Sequence, residues 1–128
     1  MRQNNVTNFE LVGDFMEAFG QDVNIDPTLR DKYTRDLRVD LIAEELEELE
    51  LAMANNDIVE VADALTDLLY VVYGAGHAFG IDLDECFGEV HESNMSKLGE
   101  DGRPLYREDG KVLKGPHYAP PDLKRIII

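Results

Sequence analysis

Apolar positions recur at helical spacing through most of the chain. Phe9, Val12, Phe15, Met16 and Phe19 share one face ahead of Gly20, which predicts a short amphipathic first helix. Asp26 and Pro27 then read as an N-cap with proline at the first helical position. Val39, Ile42, Leu46, Leu49 and Met53 continue as a 3-4-3-4 stripe, so a long second helix is expected. Asn55, Asn56 and Asp57 break the pattern with a connection short enough to fold the next helix back against the second.

The third helix, about 57–79, is apolar on nearly every side through Ile58, Val61, Leu65, Leu68, Leu69, Val71 and Val72. It is therefore expected to be the buried, central one, stopped by Gly80. Asp82 and Glu85 have capping-box spacing, and Leu83, Phe87, Val90 and Asn94 share a face of a fourth helix running to about Lys97. Past Leu98 the pattern dissolves into turns, with Asp101-Gly102, Asp109-Gly110, Pro116, Pro120 and Pro121. Leu105-Tyr106 and Val112-Leu113 are placed to pair as a small hairpin. The expected organisation is an all-α helical domain over 1–97 and an irregular tail over 98–128.

A helix apolar all round needs more cover than one hairpin offers, so the bundle of four to five helices is expected to be completed by a second copy, as a homodimer or a tetramer. The closing Ile126-Ile127-Ile128 is apolar enough to dock on a neighbour.

Charge narrows the partners. Twenty-seven acidic residues against twelve Lys and Arg give a formal net charge of −15, which repels nucleic-acid backbones and anionic membranes. One cysteine, Cys86, forms no internal disulfide, and no leader-like or 20-residue apolar stretch is evident; a cytoplasmic protein is expected.

The acids are also patterned. Glu44, Glu45 and Glu48 crowd one flank of the second helix, although Glu47 and Glu50 show that a solvated acidic face produces a similar text. Glu60, Asp63 and Asp67 lie at i, i+3 and i+7 in an otherwise apolar third helix. A screened carboxylate there requires a proton, a basic partner or a metal. The hairpin turns this row toward the second helix, where the charges are also mostly acidic, and a hard divalent cation satisfies both. Glu60 has a competing reading as the N3 member of a capping box with Asp57, and Asp67 could instead pair with a base.

The pattern Glu44-Glu45-Leu46-Glu47-Glu48 followed by Glu60-Val61-Ala62-Asp63 resembles the EExxE and ExxD signature of the all-α nucleotide pyrophosphohydrolases, the MazG-like and dimeric-dUTPase superfamily that includes phosphoribosyl-ATP pyrophosphohydrolase. Asp67-Leu68-Leu69-Tyr70, Gly80, the run from Ser93 to Lys97, and Gly110-Lys111-Val112-Leu113-Lys114 with Pro116 and Tyr118 extend the resemblance over about 38–118.

The resemblance implies hydrolysis of a (deoxy)nucleoside triphosphate to the monophosphate and pyrophosphate, assisted by two or three Mg2+ ions that Mn2+ can replace. Glu45, Glu48, Glu60 and Asp63 would be the metal ligands, and Glu44 or Glu45 would polarise the attacking water. Asn94 and Lys97 are implied as phosphate ligands, and by position Arg38, Lys111 and Lys114 join them. Tyr70 and Tyr118, with Phe15, Phe19 and Tyr73, are candidates for stacking on a base. His77 and His91 read as polar surface or interface residues. A dUTP- or dCTP-type substrate is favoured. Phosphoribosyl-ATP hydrolysis and a non-catalytic metal-binding helical module are the alternatives.

Overall fold

The computed structural model describes residues 5–128; the first four positions of the stretch read for a leader lie outside the described residues. It is all-α among them, with five helices: α1 Asn8–Ala18, α2 Lys32–Ala54, α3 Ile58–Phe79, α4 Leu83–Met95 and α5 Lys124–Ile127. Two compact units divide the chain, one ending at Leu83 and the other spanning Asp84–Ile128.

In the first unit α3 packs against both α1 and α2, which makes it the central helix. Helix α1 opens with a full capping box: Thr7 Oγ1 accepts from Glu10 N at 3.1 Å, and Glu10 Oε1 accepts from Thr7 N at 3.0 Å. Its last turn closes through Gln21 N donating to Met16 O at 2.8 Å.

Helix α2 begins five residues later than the Asp26-Pro27 reading predicts. Its N-cap is Asp31, whose side chain accepts from Thr34 N at 2.9 Å. The stretch between α1 and α2 has another task, because it satisfies the carbonyls left open at the C-terminus of α3. Asn24 N donates to His77 O at 2.9 Å, Thr28 N to Phe79 O at 2.9 Å, and both Asn24 Nδ2 and Arg30 Nε to Ala78 O at 2.9 and 3.2 Å. Gly80 caps that end at φ 70°. The strap passes so close that a Cβ on Gly80 would sit 2.4 Å from Asp26 O.

The α2 stripe is met at Ile42 and Leu49 and displaced by one position at its other three members. Arg38, Leu41, Ile42, Glu45 and Leu49 are half-buried and Ala52 is buried, whereas Val39, Leu46 and Met53 remain exposed. The inward row therefore carries an arginine and a glutamate among its apolar members. On α3 the row Ile58, Leu65, Leu69 and Val72 is likewise exposed in the single chain, so the helix is central without being covered on all sides. The turn from α2 to α3 is as short as predicted: Asn56 takes φ 53°, and Asp57 Oδ1 accepts from Glu60 N at 3.1 Å.

His77 corrects the surface reading. It is buried, its Nε2 lies 2.7 Å from Phe9 O, and its ring stacks on Phe9 at 3.8 Å between centroids. His91 is exposed on α4.

In the second unit α4 is followed by the turn-rich tail. Ser93 Oγ donates to Ala119 O at 2.7 Å, Ala119 N donates to Ser96 Oγ at 3.0 Å, and Gly115 N to Lys97 O at 2.8 Å. The small hairpin is present as a Tyr106 to Val112 antiparallel bridge, with Leu113 N donating to Leu105 O at 2.8 Å. Ile126 and Ile127 enter the short α5, a helix in the stretch expected to be irregular, and Arg125 pairs with Glu89. No helix among the described residues is long and apolar enough to cross a membrane.

Candidate active site

The hairpin places Glu45 and Glu48 of α2 opposite Asp67 of α3, with one carboxylate oxygen from each lying within 4.8 Å of the others. Glu45 occupies the inward row and Asp67 is half-buried, while Glu48 is exposed at the mouth. Burial, followed by the charges of Glu48 and Asp67, pushes the Glu45 carboxyl above its ordinary range. Asp67 is raised in the same sense, by burial first and then by Asp63 and Glu48.

Glu45 Oε2 is buried and has no hydrogen-bond partner. A buried carboxylate oxygen left unsatisfied is costly, and three hard oxygen donors around one point are the donor set of a divalent cation such as Mg2+. These residues fit such an ion.

Glu48 also reaches into two neighbouring recesses. One, of about 430 Å3, is lined by Glu48, Asp57, Glu60 and Asp63 together with the connection between the helices. The other, of about 310 Å3, lies between Glu44, Glu47, Glu48 and Leu51. The four ligands expected from the sequence are thus spread over adjoining positions that Glu48 joins. Asp67, read as either a ligand or the partner of a base, is in the tight cluster; Glu60 and Asp63 are exposed in the recess beside it. Of the capping box read for Glu60 the Asp57 half is present, Asp57 Oδ1 accepting from Glu60 N, while the Glu60 residue lines the acidic recess.

Arg38 sits on the same inward row as Glu45, two turns earlier. Its Nε is buried without a hydrogen-bond partner, and burial depresses its pKa. Tyr70 packs edge-on against Phe15 at 5.5 Å and lines, with Arg38 and Gly74, a small cavity of about 130 Å3. In the second unit Asn94 is exposed and Lys97 half-buried, Lys111 is exposed on the hairpin, and Lys114 Nζ lies 4.8 Å from the centroid of the Tyr118 ring. Lys114 and Tyr118 thus contact one another.

Residues 12–94 match the family described as phosphoribosyl-ATP pyrophosphohydrolase. The chain belongs to this family. The matched span takes in the whole of α2 and α3 and every carboxylate of the cluster and its recesses. An uncharacterized protein of Acanthamoeba polyphaga mimivirus is 38% identical over 112 residues, 84% of this chain and 42% of that protein. The chain thus spans about two fifths of the length of that curated relative. A solved structure from Exiguobacterium sp. 255-15, whose assignment as an NTP pyrophosphohydrolase is provisional, is 28% identical with a TM-score of 0.49, covering 92% of this chain and 91% of that one.

Proposed function

We propose that the chain hydrolyses a nucleoside triphosphate to the monophosphate and pyrophosphate, using Mg2+ held by Glu45, Glu48 and Asp67, with Glu60 and Asp63 available to a second ion. The observation that carries this reading is the unpartnered buried oxygen of Glu45 inside a cluster whose acids all fall in the span matched to a pyrophosphohydrolase family. Five carboxylates around a seam would repel a polyphosphate, so the site and its substrate are compatible only when cations offset the charge.

The chemistry a divalent ion supplies when bound is neutralisation of phosphate charge and a lowered pKa for a water nucleophile. Water oxygen bonds to the α-phosphorus, the bond between that phosphorus and the bridging oxygen breaks, and pyrophosphate departs. The proton of the water goes to a carboxylate. Glu44 is the better candidate for this task, because it is exposed beside Glu48 at the rim of the recess while Glu45 is turned inward to hold the ion.

A (deoxy)nucleoside triphosphate of the dUTP or dCTP type is the substrate class we favour; the family match raises phosphoribosyl-ATP as the second reading. A homodimer is proposed on the exposed apolar rows of α2 and α3.

The test is product analysis on a panel of nucleoside triphosphates and phosphoribosyl-ATP with Mg2+, beside Asp67→Asn. Monophosphate and pyrophosphate that the variant fails to make are expected, and the best substrate identifies the class. Orthophosphate as the first product would place attack at the γ-phosphorus and overturn the reading. No turnover on the whole panel, with Mg2+ still raising the melting temperature, would leave a non-catalytic metal-binding module.

A further inference from the structure

The strap between α1 and α2, together with the first three turns of α2, borders an open groove of about 700 Å3, large enough for a nucleotide-sized molecule. None of Glu45, Glu48 and Asp67 lines it. Two guanidinium groups do, from Arg30 and Arg38, in a chain whose charge is otherwise strongly negative.

Neither arginine takes part in a salt bridge among the described residues. Arg30 is held in place by neutral acceptors, with Nε on Ala78 O at 3.2 Å and Nη2 on Asp26 O at 2.6 Å, so its position is fixed while its charge is left without a carboxylate. Arg38 lies against the backbone of α3 at Gly74, where a Cβ would come within 2.7 Å of Nη1. Its buried Nε has no partner. Two acids share the wall, Asp22 and Asp31. Asp31 is committed to capping α2 through Thr34 N, and Asp22 is exposed.

A guanidinium that is seated by the fold and left without a counter-charge is suited to an anion brought from outside, and its planar fork matches phosphate oxygens. Arg38 and Glu45 lie seven residues apart on one row, roughly 10 Å along the helix axis. An anion on Arg38 is therefore a different group from a phosphate held at the carboxylates. We propose that this groove binds a small molecule through a terminal phosphate monoester, with Arg38 as the anchor and Arg30 beside it. That phosphate belongs either to a separate phosphorylated metabolite or, if the second reading of the substrate holds, to the ribosyl end of phosphoribosyl-ATP, since a dUTP- or dCTP-type substrate has no second phosphate to place there.

The test uses ribose 5-phosphate as the probe, titrated in EDTA by calorimetry or NMR. Saturable binding is expected for the unmodified chain and equally for Glu45→Gln. Arg38→Met should weaken it about tenfold or more, and Arg38→Lys by less. Because Arg38→Met removes a packed side chain, Thr34→Glu is the second variant. It adds a favourable N3 acid to the start of α2 but sets a negative charge in the groove wall, and it should also weaken the probe while the helix forms. No saturable binding by the unmodified chain, or equal affinity in both variants, overturns the proposal.

Where binding is lost as expected, competitive inhibition of turnover by the probe assigns the phosphate to the substrate, and a change in kcat at constant KM assigns it to a separate ligand. Binding in EDTA requires no catalysis, so a panel without turnover would refute the proposed reaction and leave this site standing.

Discussion

Glu45 of α2 and Asp67 of α3 hold carboxylate oxygens within 4.8 Å across the hairpin seam, and both lie above the ordinary carboxylate range, burial being the larger cause in each. Two acids held this close without a base between them oppose folding when ionised, and a cation reverses that opposition. Mg2+ is therefore expected to stabilise the chain. At about 100 times its dissociation constant an ion bound only by the folded state contributes about 2.7 kcal/mol, or roughly 10 °C in a chain of this length. In Asp67→Asn and Glu45→Gln, thermal melts with and without Mg2+ should nearly coincide. An undiminished Mg2+ response in both would place the ion elsewhere.

Glu44 and Glu45 are sequence neighbours with different surroundings, so their variants should separate holding an ion from taking a proton. Glu44→Gln is expected to keep the Mg2+-dependent rise in melting temperature and to lose roughly 100-fold or more in kcat, the usual range for a general base. Glu45→Gln should lose both. If Glu44→Gln retains full turnover, the proton goes to another group.

The raised carboxyls also set the sign of a pH effect. An acid whose pKa is higher in the folded chain than in the unfolded one keeps its proton longer when folded. Its stabilising contribution is whole below the unfolded value and is lost as pH rises through the folded value. For Glu45 and Asp67 that window opens in the ordinary carboxylate range and extends above it. In EDTA the melting temperature should therefore rise on mild acidification from neutrality, and the rise should be smaller in the Glu45→Gln, Asp67→Asn double variant. With saturating Mg2+ the trend should invert, because protonation competes with the ion. Equal slopes with and without the double substitution would show that these two groups do not set it.

The first four helices and their order were legible because long apolar periodicities leave little choice, whereas the four-residue α5 was not, being too short to show a period in a stretch read as irregular tail; the Asn55-Asn56-Asp57 turn was legible because its residues suit a positive φ and a cap. The start of α2 was not. Asp26-Pro27 has the local text of a helix start, but this stretch is held against the end of α3 by bonds to His77, Ala78 and Phe79, a tertiary use that one segment cannot announce. The rotation of α2 was misread for a related reason. Counting apolar residues favoured Val39, Leu46 and Met53, whereas the row that packs inward includes Arg38 and Glu45, two polar groups whose burial the pattern cannot distinguish from exposure. Asp67 was ambiguous from spacing alone, and only the facing of α2 and α3 puts it beside Glu45.

Gly80 is where the strap and α3 meet, and it is required twice over. Its φ of 70° is disfavoured for residues with a side chain, and a Cβ there would lie 2.4 Å from a backbone oxygen that the strap cannot withdraw without giving up its bonds to α3. Gly80→Ala is expected to cost about 2–4 kcal/mol, combining the left-handed penalty with overpacking. Denaturant melts measure this directly; a loss near zero would mean that the strap moves freely.

The exposed row Leu65, Leu69 and Val72 on α3 gives the proposed dimer a specific weak point. These positions are i, i+4 and i+7, a stripe as suited to packing as the one α3 already uses, and in the single chain Leu65 and Leu69 are 45% and 54% exposed. Leu69→Glu should leave the α2–α3 seam intact, since the side chain is 54% exposed and borders a recess shared with α1, not α2, but would set a charge inside a helix-to-helix interface. Losing the burial of one leucine alone costs about 1.5–3 kcal/mol, at least roughly tenfold in dissociation constant, and burying a carboxylate adds to this. Light scattering over a dilution series should find a dimer for the unmodified chain and a monomer for the variant at the same concentration, with helical circular dichroism retained in both. A monomeric unmodified chain would remove the dimer from the proposal and leave the row to another partner. A variant that remains dimeric would move the interface to the Val39, Leu46 and Met53 row of α2.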